Sequence, residues 1–263
     1  MDEVTSEERN SEKREPGSDV GQTVRAVVEY DGTQYFGFQI QTNAPTIQGE
    51  LEAALLRITG APVRIVGGGR TDTGVHAACQ GISFRVSWKH PLEDLLRAMN
   101  AHLPQDIAVK EIAAAPDTFH ARFGAVGRRY RYSLFGSRVR SPLLERFAWR
   151  LDVEPDLERL NAASSLLVGE KDFGAFGKAP SGDNTVRCIR SALWSRQGPL
   201  LVWDVEAKAF LRRMVRTLVG TMVWVATGRM SLEDMSHLLS TPDRSLVAPP
   251  APASGLCLME VLY

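Results

Sequence analysis

Ten residues, Gly67-Gly68-Gly69-Arg70-Thr71-Asp72-Thr73-Gly74-Val75-His76, constrain this chain more than any other stretch. Three consecutive glycines are too costly for the interior of a helix or strand, so the backbone here must turn tightly or pass close to another group. The apolar run Val63 to Val66 reads as a strand before it, and Ile82, Phe84 and Val86 alternate as a second strand over Cys79 to Val86. Arg70 and Asp72 then stand at the tip of a loop held between strands, a common place for groups with chemical roles.

Taken alone, the loop leaves three readings open. Asp72 could staple an ordinary polar turn to its own backbone. The glycine amides could cradle an anion, although the Gly-Lys-Ser/Thr ending of a P-loop and the Gly-x-Gly-x-x-Gly spacing of a dinucleotide site are both absent. A phosphatase-type aspartyl nucleophile would want a second Asp two residues on, where Gly74 stands.

The rest of the chain bounds these readings. Its 263 residues suffice for one large or two small domains with ample core. No run approaches a membrane span, and the polar start predicts no secretory signal. Cys79, Cys188 and Cys257 are too scattered for structural zinc or a disulfide framework, which points to a reducing, cytoplasmic compartment. Residues 1–20 hold seven acids and three bases, so the remainder of a formally neutral chain carries +4. Residues 1–21 therefore read as a charged, disordered tail on a mildly basic body.

In chain order, Thr23 to Tyr30 reads as a strand, and Gln34 to Gln41 interleaves aromatics with amides, suiting either a packed loop or a surface that stacks on RNA. Thr46 caps a helix with Leu51, Leu55 and Leu56 on one side, closed by Gly60 and Pro62. Pro91 to Leu103 predicts a second helix and Ile107 to Ala113 another strand. This order of strand, helix, strand, strand, helix, strand suits an α+β unit, with helices on one face of a mostly antiparallel sheet.

Beyond Phe119-His120-Ala121-Arg122-Phe123, the run Arg128-Arg129-Tyr130-Arg131-Tyr132 predicts a strand with Tyr130, Tyr132 and Leu134 on one face and Arg129 and Arg131 on the other. Leu157 to Val168 reads as a helix, and Ile189 to Ser195 with Leu200 to Ala207 as a hairpin. Phe210, Leu211, Met214, Val215, Leu218, Val219 and Met222 recur at helical spacing, with Arg212, Arg213 and Arg216 on the other side. Ser231 starts a last helix, and a Pro-rich link through Gly255-Leu256 leads to a terminal strand over Cys257 to Tyr263.

Several of these segments together resemble the tRNA pseudouridine synthase A family. Gly69-Arg70-Thr71-Asp72-Thr73-Gly74-Val75-His76-Ala77 is similar to its catalytic loop, and Tyr30-Asp31-Gly32-Thr33 with Tyr35, Gly37 and Gln39 to a second motif, Phe38 standing for the usual Trp. Arg128 to Tyr132, Asp172-Phe173 with Phe176, Phe210-Leu211-x-x-Met214-Val215-Arg216 and the Pro-rich run ending in Gly255-Leu256 match further motifs in order, with Thr217 replacing a common Asn.

The resemblance implies two similar α+β halves, residues 22–124 and 125–263, whose mixed, mostly antiparallel sheets join and leave a central basic RNA-binding cleft. It implies an isomerase turning uridine into pseudouridine at positions 38, 39 and 40 of the tRNA anticodon arm. Asp72 is then the catalytic carboxylate, Arg216 its partner and Tyr130 the residue over the target base. Leu256 contacts the uridine, and Arg70, Arg128, Arg129, Arg131, Arg212 and Arg213 are expected to bind the RNA. A bidentate Arg216 would favour the charged form of Asp72. Attack at C6, attack at C1′ and passage through a glycal all remain open. Because the reaction is a redox-neutral isomerisation, no metal or other cofactor is expected. His76 is read as structural, and a homodimer is implied. The alternative is a catalytically silent RNA-binding protein, and a nucleoside glycosidase would want a second working carboxylate.

Overall fold

In the computed structural model, which describes residues 21–263, ten strands form one mixed sheet flanked by six helices. The strands are β1 (Gln22–Tyr30), β2 (Ile65–Gly67), β3 (His76–Val86), β4 (Ile107–Ala114), β5 (Gly127–Gly136), β6 (Trp149–Leu151), β7 (Gly169–Asp172), β8 (Val186–Gln197), β9 (Leu200–Ala207) and β10 (Leu256–Leu262). The helices are α1 (Ile47–Thr59), α2 (Leu92–His102), α3 (Pro142–Glu145), α4 (Leu157–Ser165), α5 (Met214–Ala226) and α6 (Leu232–His237). The sheet order is β4-β1-β3-β10-β5-β9-β8-β7, with β2 added to β3 and β6 to β5. The expected tail lies outside the described residues. Among those described, no helix is long and apolar enough to cross a membrane.

The local signals act as their chemistry dictates. The Thr46 hydroxyl accepts from the Gly49 amide at the start of α1, and Gly60 closes that helix in the left-handed region at φ 70°. Ser231 and Asp234 form a reciprocal capping box on α6. Leu51 and Leu55 are buried, but Leu56 points outward, a correction to the expected stripe. β8 is guarded by α4, because the Asn161 amide both donates to the Trp194 carbonyl and accepts from the Trp194 amide.

The seam of the sheet is the terminal strand. β10 runs parallel to β3 at Cys257 and Leu258, opposite His76 and Ala77, and antiparallel to β5 from Leu256 opposite Tyr132 to Leu262 opposite Gly127. The last strand thus sits mid-sheet, against the residue that ends the glycine loop. One face of the sheet carries Val24, Val28, Tyr132, Leu134 and Leu258 into the core. The other carries charge: Arg129 pairs with Glu206 and Glu260 at 3.0 and 2.9 Å, and Arg131 grips Asp204 through two 2.9 Å bonds.

Leu258 is fully buried on this seam. Leu258→Ala should cost about 2–5 kcal/mol of stability, read in urea unfolding as a lower midpoint with an unchanged slope.

Candidate active site

The loop between β2 and β3 is fixed along its length. A Cβ on Gly68 would lie 2.7 Å from the Tyr263 hydroxyl and 2.9 Å from Val261, so only glycine lets the loop approach β10 this closely. The Gly68 amide donates to the Gly81 carbonyl at 2.7 Å. Gln80, wholly buried, binds the Gly69 peptide at both ends: its Oε1 accepts from the amide at 3.0 Å and its Nε2 donates to the carbonyl at 2.7 Å. Tyr30 Oη and Thr71 Oγ1 lie 2.8 Å apart, and the Thr71 carbonyl accepts from the Phe38 amide. Gly74, at φ 76°, donates to the Tyr35 carbonyl. The aromatic stretch from Tyr35 to Phe38 therefore supports the loop from beneath. Tyr35 and Phe38 are buried, and only Phe36 is exposed among its aromatics.

Arg128 ties this loop to β5. Its guanidinium donates to the Gly68 carbonyl through Nε (3.1 Å) and Nη2 (2.6 Å), to the Arg122 carbonyl at 2.9 Å and to the Lys208 carbonyl at 2.7 Å. A guanidinium holding three backbone carbonyls acts as a brace for the loop.

So held, Asp72 meets Arg216 of α5. Arg216 Nη1 lies 3.7 Å from Asp72 Oδ2, with the side chains 17% and 31% exposed respectively. The pair is not bidentate as expected, because Arg216 Nε donates to the Ala251 carbonyl at 2.7 Å, while the Ala251 amide donates to the Arg216 carbonyl. Burial weakens the hold of Arg216 on its proton, and the Asp72 charge offsets part of that effect.

Tyr130 reaches the same place from β5. Its hydroxyl lies 3.6 Å from where a Cβ on Gly69 would stand, its ring meets Phe210 edge-on at 5.2 Å, and it is 7% exposed. Burial raises its pKa well above the ordinary phenol range, so the hydroxyl stays protonated at neutral pH.

Phe210 is there because α5 starts at Met214, four residues later than expected. Lys178 and Arg212 form an isolated bridge, and Arg213 caps the helix at φ 64°, a strained conformation for a non-glycine residue.

The remaining expected residues divide between the site and elsewhere. Arg70 is exposed at the loop tip, and burial and the nearby Arg122 charge loosen its proton. Leu256 is buried at the start of β10, just after the Ala251–Gly255 strap, where the Ala253 methyl lies 3.2 Å from the Cβ position of Gly74. Arg212 and Arg213 are exposed beside α5. Arg129 and Arg131 are not brought to the site, since strand alternation turns them to the charged face and its carboxylates.

His76 is buried with Nδ1 3.0 Å from Asp31 Oδ1, packed edge-on against Phe147, and does not approach Asp72 as an acid or base would need. Gln80 escaped sequence reasoning. Its signal was a polar residue in step with the inward-facing Ile82 and Phe84. Among the described residues, no group of three or more His, Cys, Asp or Glu could hold a metal ion.

A sequence model described as tRNA pseudouridine synthase matches residues 26–124 and 163–263. Relatives match along nearly the whole chain. The tRNA pseudouridine synthase A of Geobacter sp. (strain M21) is 40% identical over 245 residues, covering 91% of this chain and 98% of the relative. That of Syntrophotalea carbinolica is 42% identical over 241 residues, covering 91% and 96%. That of Actinobacillus pleuropneumoniae serotype 7 is 40% identical over 237 residues, covering 90% of each.

Two outcomes follow from this geometry. Gln80→Leu strands both groups of the Gly69 peptide, so it should cost about 2–4 kcal/mol and speed hydrogen exchange at Gly69. All five tyrosines are shifted upward, chiefly by burial, with Tyr263 pushed up to about 12. A raised folded value means the folded state holds these protons more tightly. The associated stability is complete below the ordinary phenol value and lost as pH rises above it. Absorbance at 295 nm should therefore lag free tyrosine and rise together with alkaline unfolding.

Proposed function

The chain belongs to the tRNA pseudouridine synthase family and is an isomerase converting uridine to pseudouridine in tRNA; on that premise we propose that Asp72 is its nucleophile and that it acts at positions 38, 39 and 40 of the anticodon stem-loop. The observation that carries this reading is the meeting of Asp72 with Arg216 at 3.7 Å beside Tyr130, three residues supplied by a loop, a helix and a strand far apart in the chain.

The net reaction breaks the N1–C1′ bond and forms a C5–C1′ bond. The C5 hydrogen leaves as a proton and N1 gains one, so nothing is oxidised or reduced and no cofactor is required. The target base must leave the helical stack to reach a carboxylate inside the protein. Asp72 supplies the electron pair, Arg216 keeps it ionised once water is excluded, and Tyr130 offers a ring for stacking and a hydroxyl that donates. Arg70 at the loop tip, with Arg212 and Arg213 beyond Arg216, is suited to phosphate contact, and Leu256 to apolar contact with the uridine. A homodimer working in the cytoplasm completes the proposal, supported by the family likeness.

Unmodified tRNA carrying tritium at C5 of its uridines tests this reading. The native protein should release tritium, Asp72→Ala should release none while keeping its fold, and Arg216→Ala should slow release by roughly two to three orders of magnitude. Binding without release by the native protein, unchanged in Asp72→Ala, would establish a silent RNA-binding protein instead.

A further inference from the structure

The Asp72 loop ends at His76, whose buried ring takes no part in the arrangement around Asp72. Asp31 reaches that ring from the turn after β1, with its Oδ1 3.0 Å from His76 Nδ1. The Gly32 amide donates to the same Nδ1 at 3.1 Å. A ring nitrogen that accepts from an amide carries no proton, so Nδ1 and the Asp31 carboxylate face each other as two acceptors. Left alone, the negative charge would draw a proton onto Nδ1 and turn it from acceptor into donor.

Arg146, just after α3, opposes that. Its Nε and Nη2 both lie 2.7 Å from Asp31 Oδ2, while the Thr33 amide and hydroxyl donate to Oδ1. Burial alone would raise the pKa of Asp31, but the Thr33 and Arg146 donors hold it below the ordinary carboxylate range. Burial, reinforced by the Arg146 charge, keeps His76 below the ordinary imidazole range against the pull of Asp31. Among the described residues, Asp31 and Arg146 are the charged groups that face the ring. Phe147 packs edge-on against it at 4.9 Å, and the Ser254 backbone adjoins it from the strap.

The neutral ring pins one turn against another. A Cβ on Gly32 would lie 2.0 Å from the Val75 carbonyl oxygen, so the turn after β1 presses directly on the Asp72 loop. The Val75 amide in turn donates to the Asp72 carbonyl at 3.1 Å, and the Gly74 amide to the Tyr35 carbonyl at 3.2 Å. A Gly32 amide without its acceptor would release this contact next to the backbone that carries the carboxylate. Arg146 is half-exposed, but its fork is already occupied by the largely buried Asp31. It also lies outside both segments that the family's sequence model matches.

We infer that Arg146 is a positioning residue for the isomerisation: by pairing with Asp31 it preserves His76 as the acceptor of the Gly32 amide, and so fixes the loop that carries Asp72. The inference rests on the reading that Asp72 is the nucleophile, and it adds what holds that nucleophile in register from outside the site.

Single-turnover tritium release from C5-labelled tRNA, with protein in saturating excess, separates rate from binding. Arg146→Ala should slow the saturated rate roughly ten- to a hundredfold at neutral pH, with tRNA affinity and thermal midpoint unchanged. Relative to the native protein, the defect should deepen as pH falls and shrink as pH rises, because without Arg146 the ring takes up a proton more readily and is neutral again only at higher pH. Arg146→Lys keeps the charge and should restore both rate and profile. In an Asp31→Asn background the carboxylate is gone, so adding Arg146→Ala should change little further.

An unaltered rate, a loss equal at every pH, or a loss that adds fully to that of Asp31→Asn overturns the assignment. Weaker tRNA binding at an unchanged saturated rate would make Arg146 a phosphate contact and overturns it as well. The imidazole signal of His76, titrated by NMR without RNA, should move to higher pH in Arg146→Ala, and no movement refutes the pairing whatever the chemistry at Asp72. Tritium release by Asp72→Ala would sink the nucleophile reading on its own and leave the titration result standing.

Discussion

A loop built on three glycines cannot hold a carboxylate still by itself, and the structure depends on how that freedom is removed. The Gln80 amide is a peptide mimic with one donor and one acceptor, and it saturates the Gly69 peptide inside the sheet. The same loop is tied by Arg128 to β5, by Tyr30 to β1 and by the Phe38 and Gly74 amides to the aromatic stretch below. Freezing a glycine-rich segment costs more backbone entropy than freezing any other. Here that cost is met in folding, so none of it opposes the chemical step, which is the physical meaning of a preorganised site.

Cations are sorted by what faces them rather than by number. The chain is formally neutral, yet its charges are not mixed evenly. On one face of the sheet, Arg129, Arg131 and Arg190 are met by Glu206, Glu260 and Asp204, and the field there is largely cancelled. Around α5 the arginines have one carboxylate, Asp72, among them. A polyanion approaching the described residues around α5 meets arginines that carboxylates have largely left uncancelled, which makes net charge a poor guide to nucleic-acid binding in this molecule.

Most of what is local was legible in the sequence. Alternation marked β1, β3, β8 and β9, and Thr46 and Ser231 announced their helices, whereas Asp72 was singled out only by the likeness of its loop to the family's, the residues alone leaving an ordinary turn open. What was not legible is what depends on distant parts of the chain. Nothing near Cys257 says that the last strand inserts between β3 and β5, since a strand carries no label for its neighbours. A guanidinium suits a carbonyl, a carboxylate and a phosphate alike, so Arg128, Arg129 and Arg212 look interchangeable in sequence. They became a brace, a paired surface charge and an exposed cation beside α5 through position alone. The late start of α5 has the same origin. Phe210 and Leu211 keep helical spacing, but the bridge from Lys178 to Arg212 outweighs local propensity over those residues.

The looseness of the Asp72–Arg216 pair then acquires a purpose. At 3.7 Å, with water still reaching the carboxylate, the attraction is worth roughly 1 kcal/mol in bulk solvent and roughly 4 kcal/mol at an effective dielectric of 20. A tight bidentate pair would consume the oxygens of Asp72 before substrate arrived. Here Arg216 spends its Nε on the Ala251 carbonyl and offers Asp72 a single Nη, leaving the carboxylate able to meet another atom. On the proposed reading, a flipped nucleotide excludes that water. The same exclusion strengthens the pull of Arg216 several-fold. On the proposed reading, substrate binding thus exchanges the solvent around Asp72 for the field of a fixed guanidinium.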